Sequence, residues 1–438
     1  MPSPPGPRSA AVADPSEGVA ARAQALAMLE AVLSRRGGLE DAPAGRVTGE
    51  ERAFARSLLL STVRRLGSVD RLLDGRLKRE PPARVRDILR LGAAQLLTGQ
   101  APPFAAVSTS VKLAERDKAS RPFKGLINAV LRGLDRDGGP ALLAKLPPDA
   151  DLPSWLAARW RSAWGADGAA ALARRLAEEP PTDITPRDPA DAEALGADLT
   201  AEPAPGGSLR TRLRGDPAAW PGYAEGRWWV QDAAAALAAR LLDVRPGESA
   251  LDLCAAPGGK TLQLAAAGAR VTAVDRSASR LKRLRENLAR MRLEAEVVEA
   301  DALAWEDDRS FDAVLLDAPC SATGTFRRHP DVLWAAKPGD VARLAAMQAG
   351  LLLAAADRVK PGGRLVYSVC SLEPEEGEAQ VAPFLAARPQ FERLPAEKGD
   401  PVWPGTSGGD ATWRILPGAP EPAGGADGFF IARFGRRG

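Results

Sequence analysis

The sequence predicts a multidomain protein: a small all-α bundle followed by a Rossmann-like α/β domain. Three observations carry this. The 438 residues, 45% of them apolar, exceed one typical domain and suffice for more than one core. Between Ala20 and Asp135, apolar residues recur at spacings of three and four, with no alternating strand. After Trp228-Trp229, short apolar runs alternate with helical runs, as in a mostly parallel sheet covered on both faces.

Met1 to Ser16 is rich in Pro, Ser and Ala and lacks the apolar stretch of a secretory signal. It reads as the disordered tail of a cytoplasmic protein. Residues 17–140 form the helical domain. Leu26, Leu29 and Leu33 mark one helix, Phe54, Leu58 and Val63 a second, and Val85, Ile88, Leu89 and Leu91 a third. Gly37-Gly38, Gly67, Pro81-Pro82 and Pro102-Pro103 separate them. Residues 141–228 read as a linker and small pre-catalytic subdomain. A Trp-studded helix there carries Trp155, Trp160 and Trp164, the first two read as core anchors rather than stacking platforms. Whether this region contains strands stays open.

Residues 229–438 form the α/β domain. Its expected strands are Ala250–Cys254, Val271–Val274, Glu296–Val298, Ala313–Leu316, Arg364–Tyr367 and Phe429–Phe434. Helices are expected between them, at Gln231–Leu242, Ser277–Arg290 and Val341–Val359.

Composition narrows the chemistry. Three cysteines, none in a CxxC pair, argue against a disulfide framework, and with a single histidine no metal site is expected. No apolar run of about 18 residues suggests a membrane span, and a monomer is expected. The formal charge is only +3, but Met1 to Lys145 holds 24 Lys and Arg against 15 Asp and Glu. That excess suits a polyanion such as RNA; Arg-rich solvated helix faces account for it equally well.

The turn after the first strand of the α/β domain reads Ala255-Ala256-Pro257-Gly258-Gly259-Lys260. Glycines there let the backbone approach a ligand and aim helix N-terminal amides at it. Asp275, Asp301 and Asp317 follow at the ends of the next three strands. One such acid is commonly a helix cap, but a series behind a Gly-rich turn points to a nucleoside-type cofactor. Without a Walker A motif, S-adenosyl-L-methionine (SAM) is expected rather than ATP.

Cys320 and Cys370 lie just beyond consecutive strands and open onto the same crevice, whereas Cys254 reads as a small buried apolar residue. Carbon 5 of cytosine is a poor nucleophile. A thiolate adding to carbon 6 makes it electron-rich enough to accept a methyl group, after which proton loss and thiol elimination restore the ring. Asp317 is placed to protonate ring nitrogen 3 if its pKa is raised. Amino-directed methyltransferases carry an Asn/Asp-Pro-Pro-Tyr-like turn where this chain has Asp-Ala-Pro-Cys. Spacing leaves open which cysteine attacks. Arg327 and Arg328, with His329, follow in a loop suited to RNA phosphate or substrate orientation, or to plain solvation.

The strings LDLCAAPGGKT, AVD, DAPCSATGTFRRHPDVLW, YSVCSLEPEEGE and DGFF closely resemble the RsmB/Sun family of RNA cytosine-5 methyltransferases, from about Pro153 to the C-terminus. Phe123 to Arg132 resembles a NusB-type helical RNA-binding domain. The resemblance implies Cys370 as nucleophile and Cys320 as the cysteine assisting release. It implies SAM contacts from Cys254, Ala255, Ala256, Pro257, Gly258, Gly259, Lys260, Asp275, Asp301 and Asp317. The domain pairing implies 16S ribosomal RNA as substrate. Val369 stands where the family usually has Thr, Ile184 to Arg187 replaces a Leu-Arg-Val-Asn stretch, and Gly425-Ala426 precedes DGFF where a His is often found. The alternatives are the same chemistry on transfer RNA, or an inactive RNA-binding or assembly protein that retains the fold.

Overall fold

The computed structural model describes residues 18–34, 47, 49–401, 403–404, 409–418 and 425–438; the tail expected at Met1 to Ser16 lies outside them. The chain divides into two units, Met1–Asp151 and Leu152–Gly438.

Among its described residues, the first unit holds six α-helices: α1 (Val19–Leu33), α2 (Gly49–Arg64), α3 (Leu66–Asp74), α4 (Ala83–Thr98), α5 (Pro103–Glu115) and α6 (Lys124–Arg136). No strand occurs among its described residues. The proline pairs mark helix starts, with Pro82 at the N-cap of α4 and Pro103 in the first turn of α5. Helix α4 is the central element and touches the other five. A side chain at its Gly92 would strike Leu131 and Ser110 at 2.6 Å, so α5 and α6 approach closely there. The division falls later than the 140/141 boundary expected. The segment before it is tied to the start of α3: the Asp151 carboxylate accepts from the Ser68 N–H at 2.9 Å and pairs with Arg65 at 3.0 Å.

The second unit opens with α7 (Ser154–Leu176), broken at Gly165. Trp160 on it is fully buried, donates to Glu373 at 3.0 Å and packs 5.6 Å from the Phe326 ring. Next come β1 (Thr182–Pro186), α8 (Ala192–Asp198), β2 (Ala201–Ala204), β3 (Ser208–Thr211) and β4 (Trp228–Val230). These strands form an antiparallel sheet in the order β2-β3-β1-β4, so the region left open by the sequence does contain strands.

The large sheet follows. Its elements are α9 (Ala233–Leu242), β5 (Ser249–Leu253), α10 (Gly259–Ala266), β6 (Arg270–Asp275), α11 (Ala278–Met291), β7 (Glu296–Glu299), β8 (Phe311–Asp317), α12 (Val332–Ala335) and α13 (Pro338–Asp357). Then come β9 (Val359–Val369), α14 (Glu378–Ala387), β10 (Phe391–Arg393), β11 (Thr412–Ile415) and β12 (Phe429–Arg436). Strand order is β10-β12-β9-β8-β5-β6-β7, with β11 beside β12. The five strands β5 to β9 run parallel, and β12 returns antiparallel to β9. All six expected strands are present, except that Cys254 falls just past β5. Strands β10 and β11 went unseen because three or four residues are too few to show alternation.

Side chains along β8 alternate between two cores. Val314 and Leu316 face Leu351, Leu352 and Ala355 of α13, while Ala313 and Leu315 face Ala234 and Leu237 of α9. Helix α13 is long and apolar enough, by length and composition alone, to cross a membrane. Here its Leu351, Leu352, Ala355 and Ala356 pack into the sheet core. The strand order reverses direction between β5 and β8, which opens a crevice at the carboxyl ends of the strands.

Candidate active site

The Gly-rich turn runs from the end of β5 into α10. Cys254 sits at φ 60° and Gly258 at φ 109°. A β-carbon at Gly258 would also meet Leu284 at 2.9 Å, so only glycine fits. The turn is anchored from below. Asp275, at the end of β6, accepts from the Ala256 N–H at 3.1 Å and the Ser277 N–H at 2.9 Å. Arg280 donates to the Ala256 carbonyl. Asp301 lies two residues past β7, exposed, and accepts from the Leu303 N–H at 3.0 Å. This donor set fits a nucleoside cofactor: α10 amides beside the turn, then carboxylates at successive strand ends with acceptor capacity to spare. Cys254 would contribute only as a neutral thiol. Burial pushes it up to about 12, with help from Asp275, Asp317 and Asp252.

Asp317 ends β8. The Lys260 ammonium meets its Oδ2 at 2.7 Å, and the Ser368 hydroxyl donates to its Oδ1 at 2.9 Å. Asp317 is therefore one half of a carboxylate–ammonium pair. Lys260 in turn lies 5.3 Å from the centre of the Phe429 ring, which gives the DGFF string its place in the site.

The two cysteines meet. Cys320 Sγ and Cys370 Sγ are 3.5 Å apart. The hydrogen bond with Cys370, then burial, then the charges of Cys370 and Glu376 hold the Cys320 thiol well above the usual range. Glycines allow the loops to close around the pair. The Gly324 N–H donates to the Cys370 carbonyl at 3.0 Å, and the Gly428 N–H to the Gly324 carbonyl at 2.8 Å. A side chain at Gly324 would strike the Gly428 carbonyl oxygen at 2.0 Å.

Arg327 is not available as the phosphate ligand the sequence suggested. Its side chain is 3% exposed and lies between Asp232 and Asp427, 3.6 Å from each. Arg328 pairs with Asp427 as well, but its side chain remains 34% exposed. His329 is half-buried, and its backbone N–H donates to the Thr325 carbonyl at 2.9 Å. Asp232 caps α9 by accepting from the Ala234 N–H at 2.9 Å. Burial and the facing Asp427 push the Asp232 carboxyl up.

Sequence reasoning passed over Glu376. The run Glu373-Pro374-Glu375-Glu376-Gly377-Glu378 reads as a solvated acidic turn, yet Glu373 and Glu376 are buried while Glu375 and Glu378 are exposed. Nothing in spacing separates the two kinds. An open groove of about 1300 Å³, bordered by Arg270, Glu296, Arg309 and Lys360, lies at the amino ends of the strands. It contains none of the site residues.

Two known families match successive parts of this chain. The family 16S rRNA methyltransferase RsmB/F matches residues 239–435, and the NusB family matches residues 19–136. Ribosomal RNA small subunit methyltransferase B of Klebsiella pneumoniae subsp. pneumoniae is 36% identical over 90% of this chain and 92% of its own length. The crystal structure of PH0851 covers 94% of this chain and 98% of its own at a TM-score of 0.74 and 22% identity, a likeness of fold. NSun6 from Pyrococcus horikoshii with SFG has a TM-score of 0.56 and 19% identity, over 65% of this chain and 98% of its own. The chain is an RNA methyltransferase of the RsmB/F family, preceded by a NusB-family helical unit.

Proposed function

We propose that the protein methylates carbon 5 of a cytosine in small-subunit ribosomal RNA, through a transient covalent bond between the base and Cys370. The observation that carries this reading is the 3.5 Å approach of two thiols beside the Asp317–Lys260 pair at the carboxyl edge of the sheet. SAM, held by Cys254 to Lys260, Asp275 and Asp301, supplies the electrophilic methyl group. The chain's own residues do the rest. The Cys370 thiolate adds to carbon 6, and the Lys260 ammonium, held in place by Asp317, offsets the negative charge that develops toward nitrogen 3. A base then removes the carbon 5 proton, the Cys370–carbon 6 bond breaks, and Cys320 assists that release. Arg328, partly exposed at the crevice, contacts RNA phosphate, and residues 17–151, with their excess of cations, hold the RNA. The likeness to the Klebsiella ribosomal RNA small subunit methyltransferase B supports ribosomal RNA over transfer RNA.

The test uses Cys320→Ala protein with SAM and small-subunit ribosomal RNA. An RNA–protein adduct surviving denaturing electrophoresis is expected, and adding Cys370→Ala should remove it. Methylation that persists in Cys370→Ala protein sinks the reading.

A further inference from the structure

Each thiol is followed by a serine, and both serines reach one carboxylate. The Ser321 N–H donates to Glu376 Oε1 at 2.9 Å, and the Ser321 hydroxyl to Oε2 at 2.5 Å. The Ser371 hydroxyl donates to the same Oε2, and Gln348 Nε2 to Oε1 at 3.1 Å. The two hydroxyls are themselves 3.1 Å apart. Glu376 is fully buried, and among the described residues it has no ion-pair partner. A buried carboxylate held only by neutral donors is costly. A glutamine amide would fill the same space without the charge.

We propose that Glu376 is a positioning residue: its carboxylate fastens the Cys320 loop to the Cys370 loop and, by its charge, assigns the two thiols different roles. The proposal rests on the cysteine reading above. Two thiols in contact do not both ionise. Glu376 accepts two hydrogen bonds from the residue after Cys320 and one from the residue after Cys370, so its charge weighs more against a thiolate at Cys320, and the nucleophile arises at Cys370. The high-lying Cys320 thiol, for which Glu376 is one cause, agrees. The other titratable groups facing this thiol are Cys370 and Tyr367. Tyr367 is itself influenced by Arg414 and Asp317, and its hydroxyl donates to the Glu376 carbonyl at 2.5 Å.

The experiment compares Glu376→Gln with wild type in the full-length protein. Methylation of small-subunit ribosomal RNA at saturating SAM should show kcat lowered about a hundredfold, the order expected for misplacing a reacting group by an ångström. KM should stay within about twofold, because Glu376 is fully buried. Separately, without RNA or SAM and in a Cys370→Ala background, the rate of Cys320 alkylation by iodoacetamide is followed against pH by peptide mass. Glu376→Gln should move the midpoint down by about one pH unit, since a like charge has gone. An unchanged midpoint, or a kcat within about twofold of wild type, overturns the proposal. If Glu376→Gln does not fold, Ser321→Ala removes one donor only; a kcat lowered about tenfold at constant KM supports the clamp, and an unchanged kcat overturns it. The alkylation arm needs no methyl transfer. Failure of the cysteine reading, seen as methylation by Cys370→Ala protein, is thereby separated from failure of the Glu376 assignment.

Discussion

Cys320 Sγ lies 3.5 Å from Cys370 Sγ, across 50 residues of chain, because β8 and β9 are parallel neighbours that end at the same level. The contact predicts a split in kinetics. Cys320→Ala protein should transfer about one methyl group per molecule and then stall, with steady turnover lowered by at least about a hundredfold. Rapid-quench measurement of methyl incorporation reads both phases. Steady turnover near wild type would remove Cys320 from the release step.

The buried Arg327 side chain between Asp232 and Asp427 predicts a stability effect where the sequence suggested an RNA contact. Asp427→Ala leaves a buried guanidinium undercompensated and should cost about 3–5 kcal/mol in urea unfolding. A loss below about 1 kcal/mol contradicts this. Arg328→Ala should destabilise less, weaken RNA binding, and reduce the slope of log affinity against log salt by about one. An unaltered slope removes Arg328 from the RNA surface.

Asp252 predicts a pH effect. Burial pushes its carboxyl from 3.8 up to about 7, against the opposing hydrogen bond from Thr261. The unfolded chain loses this proton first, so the folded state holds more protons between those two values. The stability this group contributes is full below pH 3.8 and is lost as pH rises through about 7. Asp252→Asn, which keeps an acceptor for Thr261, should therefore gain in Tm relative to wild type from pH 5 to pH 8. A difference in Tm that does not change with pH refutes it.

The Arg65–Asp151 pair predicts where the chain can be cut. Protein lacking residues 1–151 should bind SAM normally by calorimetry and lose about tenfold or more in RNA affinity. Protein lacking only residues 1–139 retains buried Leu142 without α4, which packs against its segment, and should aggregate more readily. RNA affinity unchanged by the longer deletion means the helical unit does not hold the RNA.

The sequence alone determined the fold class, the six principal strands, and the residue types at the crevice. These are local properties: a period of two or of 3.6, a glycine where φ is positive, an acid where a strand stops. Motif strings added the rest of the crevice, including DGFF, whose Gly428 and Phe429 meet Gly324 and Lys260. Only the tertiary structure decided which members of like sets do what. Glu373 and Glu376 are buried while Glu375 and Glu378 face solvent, and Arg327 is enclosed while Arg328 stays partly exposed. It also gave Asp317 its ammonium partner. The physical reason is that burial and charge pairing depend on neighbours from 57 to 214 residues away, as for Lys260–Asp317 and Arg159–Glu373. Strand order and loop packing bring those neighbours together, and no window along the chain contains both partners.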